Sequence, residues 1–220
     1  MGDAALKDSF DTIKTSHDLN GNTKKLSAYY AGWAQKYDDD VANEEYRGPA
    51  IMADLARFVA LGYLHRPVEK LVSLDAGCGT GLAGVEMKRR GFGVIDGFDL
   101  SKEMTDCAEE TGAFRDLKSG VDLNIDQPNV FSRQYDLLVC CGVLTLGHVE
   151  PEAMRRLAEY LRPGGIMIVS TRNSYLEDGA FAKAHARLKE EGCYREIACL
   201  PNAWYIAEEG AHYWICQRPE

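Results

Sequence analysis

The sequence predicts an α/β fold: a seven-stranded, mostly parallel sheet with helices on both faces and an antiparallel hairpin at one edge. Three observations carry this. The apolar run Leu71 to Leu74 stops at Asp75 and enters a loop with glycine at every second position, Gly77, Gly79 and Gly81. Strand-like runs near 70–75, 93–99, 121–124, 135–141 and 165–171 alternate with helical segments, which implies parallel strands joined by crossovers. Two last extended segments, near 193–200 and 211–217, have no helix between them, which predicts the hairpin.

In chain order, Leu6, Phe10 and Ile13 mark a short amphipathic helix, and Asp18 to Thr23 form a turn able to cap the next one. Leu26, Tyr30, Trp33 and Tyr37 recur at helical spacing. Gly48-Pro49 opens a third helix with proline in its tolerated first turn, and Gly62 and Pro67 end it. After the alternating core, one long helix is expected at about 175–191. At 220 residues with 45% hydrophobic content the chain can bury one substantial core. We therefore expect a single domain over 1–220, with a helical extension or lid over 1–66 and the sheet-bearing core over 67–220.

The glycine-spaced loop is a nucleotide-cofactor loop. Glycine lets the backbone turn tightly and approach a ligand, and the following helix offers unpaired amides at its positive end. A dinucleotide fingerprint would need glycine where Leu82 stands, and a phosphate loop would need Gly-Lys-Ser/Thr, which is absent. Asp75 would repel a pyrophosphate but suits a ligand carrying an ammonium and a sulfonium, such as S-adenosylmethionine (SAM). Gly93 to Asp99 reads as the next parallel strand, and its terminal acid is placed to reach both ribose hydroxyls.

Leu74-Asp-Ala-Gly-Cys-Gly-Thr-Gly81 resembles the first motif of the class I SAM-dependent methyltransferases, and Gly97-Phe-Asp-Leu-Ser101 resembles the second. Gln134 to Gly142 is similar to their fourth-strand motif, and Leu161 to Ser170 to the turn into the fifth strand. The segment Tyr29 to Asp38 leading to Tyr46-Arg-Gly-Pro49 resembles the methyltransferase-like proteins of the Williams-Beuren syndrome region type. These resemblances imply a Rossmann-like class I methyltransferase fold, SAM as cofactor and S-adenosylhomocysteine as product. They leave the acceptor open.

They also imply cofactor contacts from Asp75, Gly77, Gly79, Gly81, Asp99 and the adjacent Leu100. Asp122 is read as the acid meeting the adenine amino group, with Leu123 covering the adenine face; Asp126 offers a competing alignment. Cys141 ends the fourth strand, at the carboxyl edge where ligands bind in such sheets. Spacing alone makes Tyr30, Trp33 and Tyr37 helix core, whereas the resemblance implies an aromatic lid, with Tyr37 first and Tyr30 second as cofactor or methyl-path residues. Substrate-facing candidates are Tyr37, His148 and Arg172; a surface or capping role is the plain alternative for His148, and a surface role for Arg172.

The expected chemistry is in-line methyl transfer to N, O or S of a small-molecule acceptor, needing alignment, exclusion of water and a base only where the acceptor is protonated. The alternatives are a non-catalytic SAM-binding module or activating subunit, and a protein methyltransferase. Cys-Gly-Val-Leu after the fourth strand lacks the Asn/Asp-Pro-Pro of enzymes acting on DNA amines, and a net charge of −9 disfavours a nucleic-acid partner. Seven cysteines without C-x-x-C spacing read as free thiols, and no metal is expected. No apolar stretch is long enough for a bilayer and no secretory start is visible, so a cytoplasmic protein is expected, of undetermined oligomeric state.

Overall fold

The computed structural model of the protein describes Tyr29 and residues 45–220. The readings of the first helices and of Tyr30, Trp33 and Tyr37 lie outside the described residues. Helix α1 spans Gly48–Gly62, with proline in its first turn. Strand β1 (Val72–Ala76) then leads through the glycine loop to α2 (Leu82–Arg89). Next come β2 (Val94–Phe98), α3 (Lys102–Glu110) and β3 (Asp116–Lys118). The chain continues with β4 (Tyr135–Leu144), α4 (Ala153–Tyr160) and β5 (Leu161–Arg172). Last are α5 (Ala180–Glu190), β6 (Arg195–Ala203) and β7 (Ala211–Gln217).

The seven strands form one sheet in the order β3-β2-β1-β4-β5-β7-β6. Strands β1 to β5 pair in parallel, and β7 runs antiparallel to both β5 and β6. This is a Rossmann-like α/β sheet with the expected edge hairpin. Its central strands are buried on both faces, and successive side chains of β4 feed opposite cores. Leu137 and Val139 pack with Met52, Val59 and Met87 from α1 and α2, while Leu138 and Cys140 pack with Met154, Leu157, Phe181 and Leu188 from α4 and α5. Strand order reverses between β1 and β4, so a crevice opens beyond their carboxyl ends.

Two expectations are corrected. The third strand is Asp116–Lys118, in register with Asp96–Phe98, and not 121–124. Gly120 turns the chain at φ +77°, and the Asp122 carboxylate accepts the Asn124 amide at 2.8 Å, a local turn that competes with a strand ladder. The apolar Val121 and Leu123 mimicked strand alternation. The helix expected at 175–191 is two pieces: a 3-10 turn at Asn173–Leu176, then α5, which starts behind Gly179 at φ +71°.

Candidate active site

The loop after β1 is shaped by conformations that a side chain would spoil. Gly77 lies at φ +70°, and a Cβ there would sit 2.3 Å from the Val143 side chain at the end of β4. Gly79 lies at φ +54° with open space where a Cβ would be. Its backbone can therefore approach a ligand. Gly81, also left-handed, caps α2 and packs against Phe114.

Around this loop runs a cleft of about 980 Å³ including its open mouth. One wall holds Asp75, Gly77, Gly79, Asp99, Leu100, Asp122 and Leu123; across the β4 end stand Tyr46, Cys141, Gly142 and His148. Most of the sequence-predicted residues thus meet in one place. Gly81 and Arg172 do not line it. Of the two competing acids, Asp122 faces the cleft, whereas Asp126 is exposed and paired with Arg156 at 2.9 Å.

Asp75 is fully buried, and among the described residues neither of its carboxylate oxygens has a hydrogen-bond partner. Burial pushes its pKa up to about 7; the backbone amide of Gly84 offsets part of this rise, and the Asp99 charge adds to it. A buried, unanswered carboxylate facing a cleft favours a cation. Asp99 is differently placed: its two oxygens accept the Gly79 and Ser101 amides, both at 2.9 Å, so it fixes the glycine loop while its open edge faces the cleft. Burial raises its pKa, and the Ser101, Gly79 and Leu100 amides offset part of that rise.

At the far wall the Tyr46 hydroxyl lies 3.3 Å from Cys141 Sγ and 3.2 Å from the Tyr205 hydroxyl. These two rings pack edge to face, and the Arg47 amide donates to the Tyr205 carbonyl, tying the hairpin loop to the start of α1. Burial pushes the Cys141 thiol up to about 12 and raises the Tyr205 phenol, so both remain protonated. His148 is buried; its Nδ1 donates to the Leu146 carbonyl at 2.9 Å, and burial lowers its pKa. Arg172 has its charge answered by Glu209 at 2.6 Å and stacks over the Tyr205 ring. The expectation that it binds a substrate carboxylate therefore loses its support.

A methyltransferase-domain family profile matches residues 44–220. The chain belongs to the methyltransferase-domain family. This methyltransferase is 28% identical over 196 residues to human methyltransferase-like protein 27, covering 86% of this chain and 76% of that protein. It is 33% identical over 139 residues to a ubiquinone biosynthesis O-methyltransferase from Caulobacter vibrioides, covering 60% of this chain and 53% of that protein; it thus spans about half the length of that relative. Among solved structures it resembles a TehB-like SAM-dependent methyltransferase from Corynebacterium glutamicum, with a TM-score of 0.61 and 20% identity over 87% of this chain and 98% of that one. It also resembles magnesium protoporphyrin IX methyltransferase from Synechocystis with bound SAM, with a TM-score of 0.55 and 20% identity over 78% of this chain and 80% of that one. The fold is that of class I SAM-dependent methyltransferases.

Several cleft residues escaped the sequence reading. Asn124 was hidden in a segment read as strand, yet its amide nitrogen donates to the His148 carbonyl and its oxygen accepts the Glu150 amide, both at 2.8 Å. Tyr46 had a signal, since it stands directly before the Gly-Pro helix start. Tyr205, which contacts Tyr46 but does not itself line the cleft, had none: it lies 159 positions from that partner. Among the described residues no group of three or more His, Cys, Asp or Glu is arranged to hold a metal ion, and no helix is long and apolar enough to cross a membrane.

Proposed function

We propose that this methyltransferase moves the methyl group of SAM to N, O or S of a small molecule bound against Tyr46, Cys141, Gly142 and His148. The observation that carries the reading is Asp75, a buried carboxylate with both oxygens unpartnered at the mouth of a glycine cradle. In this reading Asp75 faces the cationic amino-acid end of SAM, and Asp99 accepts the ribose hydroxyls. Asp122 and Leu123 hold the adenine, and Leu100 and Cys141 complete the contact. Gly77, Gly79 and Gly81 shape the loop. Bound SAM supplies an electrophilic methyl and its own leaving group. The chain contributes orientation and exclusion of water, for which the side of the cleft with half-buried Val143 and buried His148 is suited.

Tyr30 and Tyr37 belong to a lid in this proposal, within a helical extension over 1–66 that precedes the core in a single domain. Seven free thiols, three of them buried, fit a reducing, cytoplasmic compartment. Calorimetry tests the cofactor half: saturable binding of SAM and S-adenosylhomocysteine, with none of NAD or ATP, is expected. Binding of NAD without SAM would overturn it. Transfer of labelled methyl from SAM into fractionated metabolites tests the acceptor half; labelling confined to protein would instead favour a protein substrate.

A further inference from the structure

A hydrogen-bonded path crosses the cleft through the loops that follow β1, β2, β3 and β4. The Gly79 amide donates to an Asp99 side-chain oxygen at 2.9 Å, and the Val121 amide donates to the Asp99 carbonyl at 3.1 Å. The Asn124 amide then donates to Asp122 Oδ1 at 2.8 Å. Asn124 carries the path onward: its side-chain nitrogen donates to the His148 carbonyl and its oxygen accepts the Glu150 amide, both at 2.8 Å. Gly79, Asp99, Val121, Asp122, Asn124 and His148 all line the cleft.

The identity of residue 124 follows from its two backbone partners. A carbonyl only accepts and an amide N–H only donates, so the side chain between them must offer one donor and one acceptor. A side-chain amide does this. Aspartate would set an acceptor against the His148 carbonyl, and alanine would offer neither group. The bonds that the segment from Thr145 to Glu150 makes within itself and to Val143 close turns: the Thr145 amide to the Val143 carbonyl at 3.0 Å, the His148 amide to the Thr145 carbonyl at 3.1 Å and His148 Nδ1 to the Leu146 carbonyl at 2.9 Å. Turns fix the shape of a segment and not its place. Bonds from other elements tie it down, among them the pair from Asn124 and one from the Tyr175 hydroxyl, which donates to the Val149 carbonyl at 2.6 Å.

We propose that Asn124 couples cofactor occupancy to the placement of residues 145–150, which makes it a positioning residue for the acceptor end of the cleft. The inference rests on the cofactor reading above. Asp122 and Leu123 lie between two pinned points, Val121 on the Asp99 carbonyl and Asn124 on the 145–150 segment. A ligand seated against them narrows the motion of that short stretch, so Asn124 holds its backbone partners at a smaller cost in conformational entropy. By reciprocity, a segment held in place tightens the hold on the cofactor. Tyr175 grips the same segment from the 3-10 turn after β5, off this path, and stabilises it with or without ligand.

Amide exchange on the full chain tests this, with S-adenosylhomocysteine at a saturating concentration set by calorimetry for each protein. In the wild type the ligand should slow exchange about fivefold or more over residues 77–84, 121–127 and 145–150. In Asn124→Ala residues 77–84 should keep that protection, while 145–150 should gain less than about twofold. Asn124→Asp, which keeps the acceptor for Glu150 but opposes the His148 carbonyl, should show the same loss and answers the question if the alanine variant does not fold. Tyr175→Phe controls for plain loss of stability: residues 145–150 should exchange faster in both states, with the ratio between free and bound preserved. Full ligand-dependent protection of 145–150 in the folded Asn124 variants, or a ratio lost as completely in Tyr175→Phe, would overturn the proposal. So would a wild-type segment indifferent to a ligand that binds, an outcome that leaves the cofactor reading standing. A wild-type protein that does not bind S-adenosylhomocysteine removes both.

Discussion

Asp75 and Asp96 sit on neighbouring strands of the same sheet, both wholly buried, and their surroundings are opposite. Asp96 accepts from Arg115 at 2.6 and 2.9 Å, from Arg133 at 2.9 Å and from the Tyr135 hydroxyl at 2.8 Å. Burial pushes its pKa up, but the Arg115 and Tyr135 bonds and the two guanidinium charges outweigh that, leaving it below the usual carboxylate range. Asp75 has burial and a like charge, offset only in part by the Gly84 amide, so its pKa rises to about 7. One acid holds the sheet together. The other is held at a cost that a cationic ligand can relieve. Burial alone does not distinguish a structural carboxylate from a binding one; the completeness of its hydrogen bonding does.

Removing the satisfied acid gives the largest expected effect. Asp96→Ala strands a buried Tyr135 hydroxyl and two arginines that can still reach water, for a loss of about 3 kcal/mol in urea unfolding. SAM affinity of the folded fraction should be unchanged. A smaller loss than at an exposed salt bridge such as Lys102–Asp106 would erase the contrast.

Asp75→Asn should act in the opposite direction, raising the stability of the ligand-free protein by about 2 kcal/mol at pH 8 while weakening SAM binding. The sign follows from the shift. The folded-state pKa of about 7 exceeds the unfolded value of 3.8, so the penalty is absent below about pH 4, grows through the interval and is complete above pH 7. Asp96, with a depressed folded value, contributes stability that is present above pH 4 and lost as pH falls through that folded value. A thermal-melt series in which Asp75→Asn gains nothing between pH 5 and 8 would contradict this. The same ionisation predicts that SAM binds roughly tenfold more tightly at pH 8 than at pH 6, read by calorimetry in buffers of different protonation enthalpy.

Asp99→Ala should lower SAM affinity by at least about tenfold, since a charged acceptor of two hydroxyls is lost. It should also lower the melting temperature slightly, because the Gly79 and Ser101 amides lose their acceptor. An unchanged dissociation constant would mean that Asp99 serves the loop alone. The smallest expected effect is none: EDTA should leave methyl transfer intact, and loss restored by magnesium or zinc would show otherwise.

The parts legible in sequence were those governed by neighbours in the chain. Glycine spacing after an apolar run located the loop, because positive φ at Gly77 and Gly79 is a local demand. Pro49, Gly62 and Pro67 bounded α1 correctly for the same reason. The failures were also local in appearance. Val121 and Leu123 alternate like a strand, but the turn made by Asp122 and the register of Asp116 against Asp96 decided otherwise.

The sequence by itself determined the sheet, the order of its elements, the glycine loop and the presence of acids at the ends of two strands, since residue type fixes backbone preference and burial pattern over a few positions. Only the tertiary structure decided what each charge meets. Arg172 is answered by Glu209 from 37 residues away, Asp96 by Arg133 from the same distance, and His148 is clamped by Asn124 across two loops. Asp75, at the end of its strand, meets no hydrogen-bonding partner among the described residues. Those outcomes depend on strand order and register, which bring together groups whose separation in the chain carries no signal, and a carboxylate's pKa follows from the partners that arrive there.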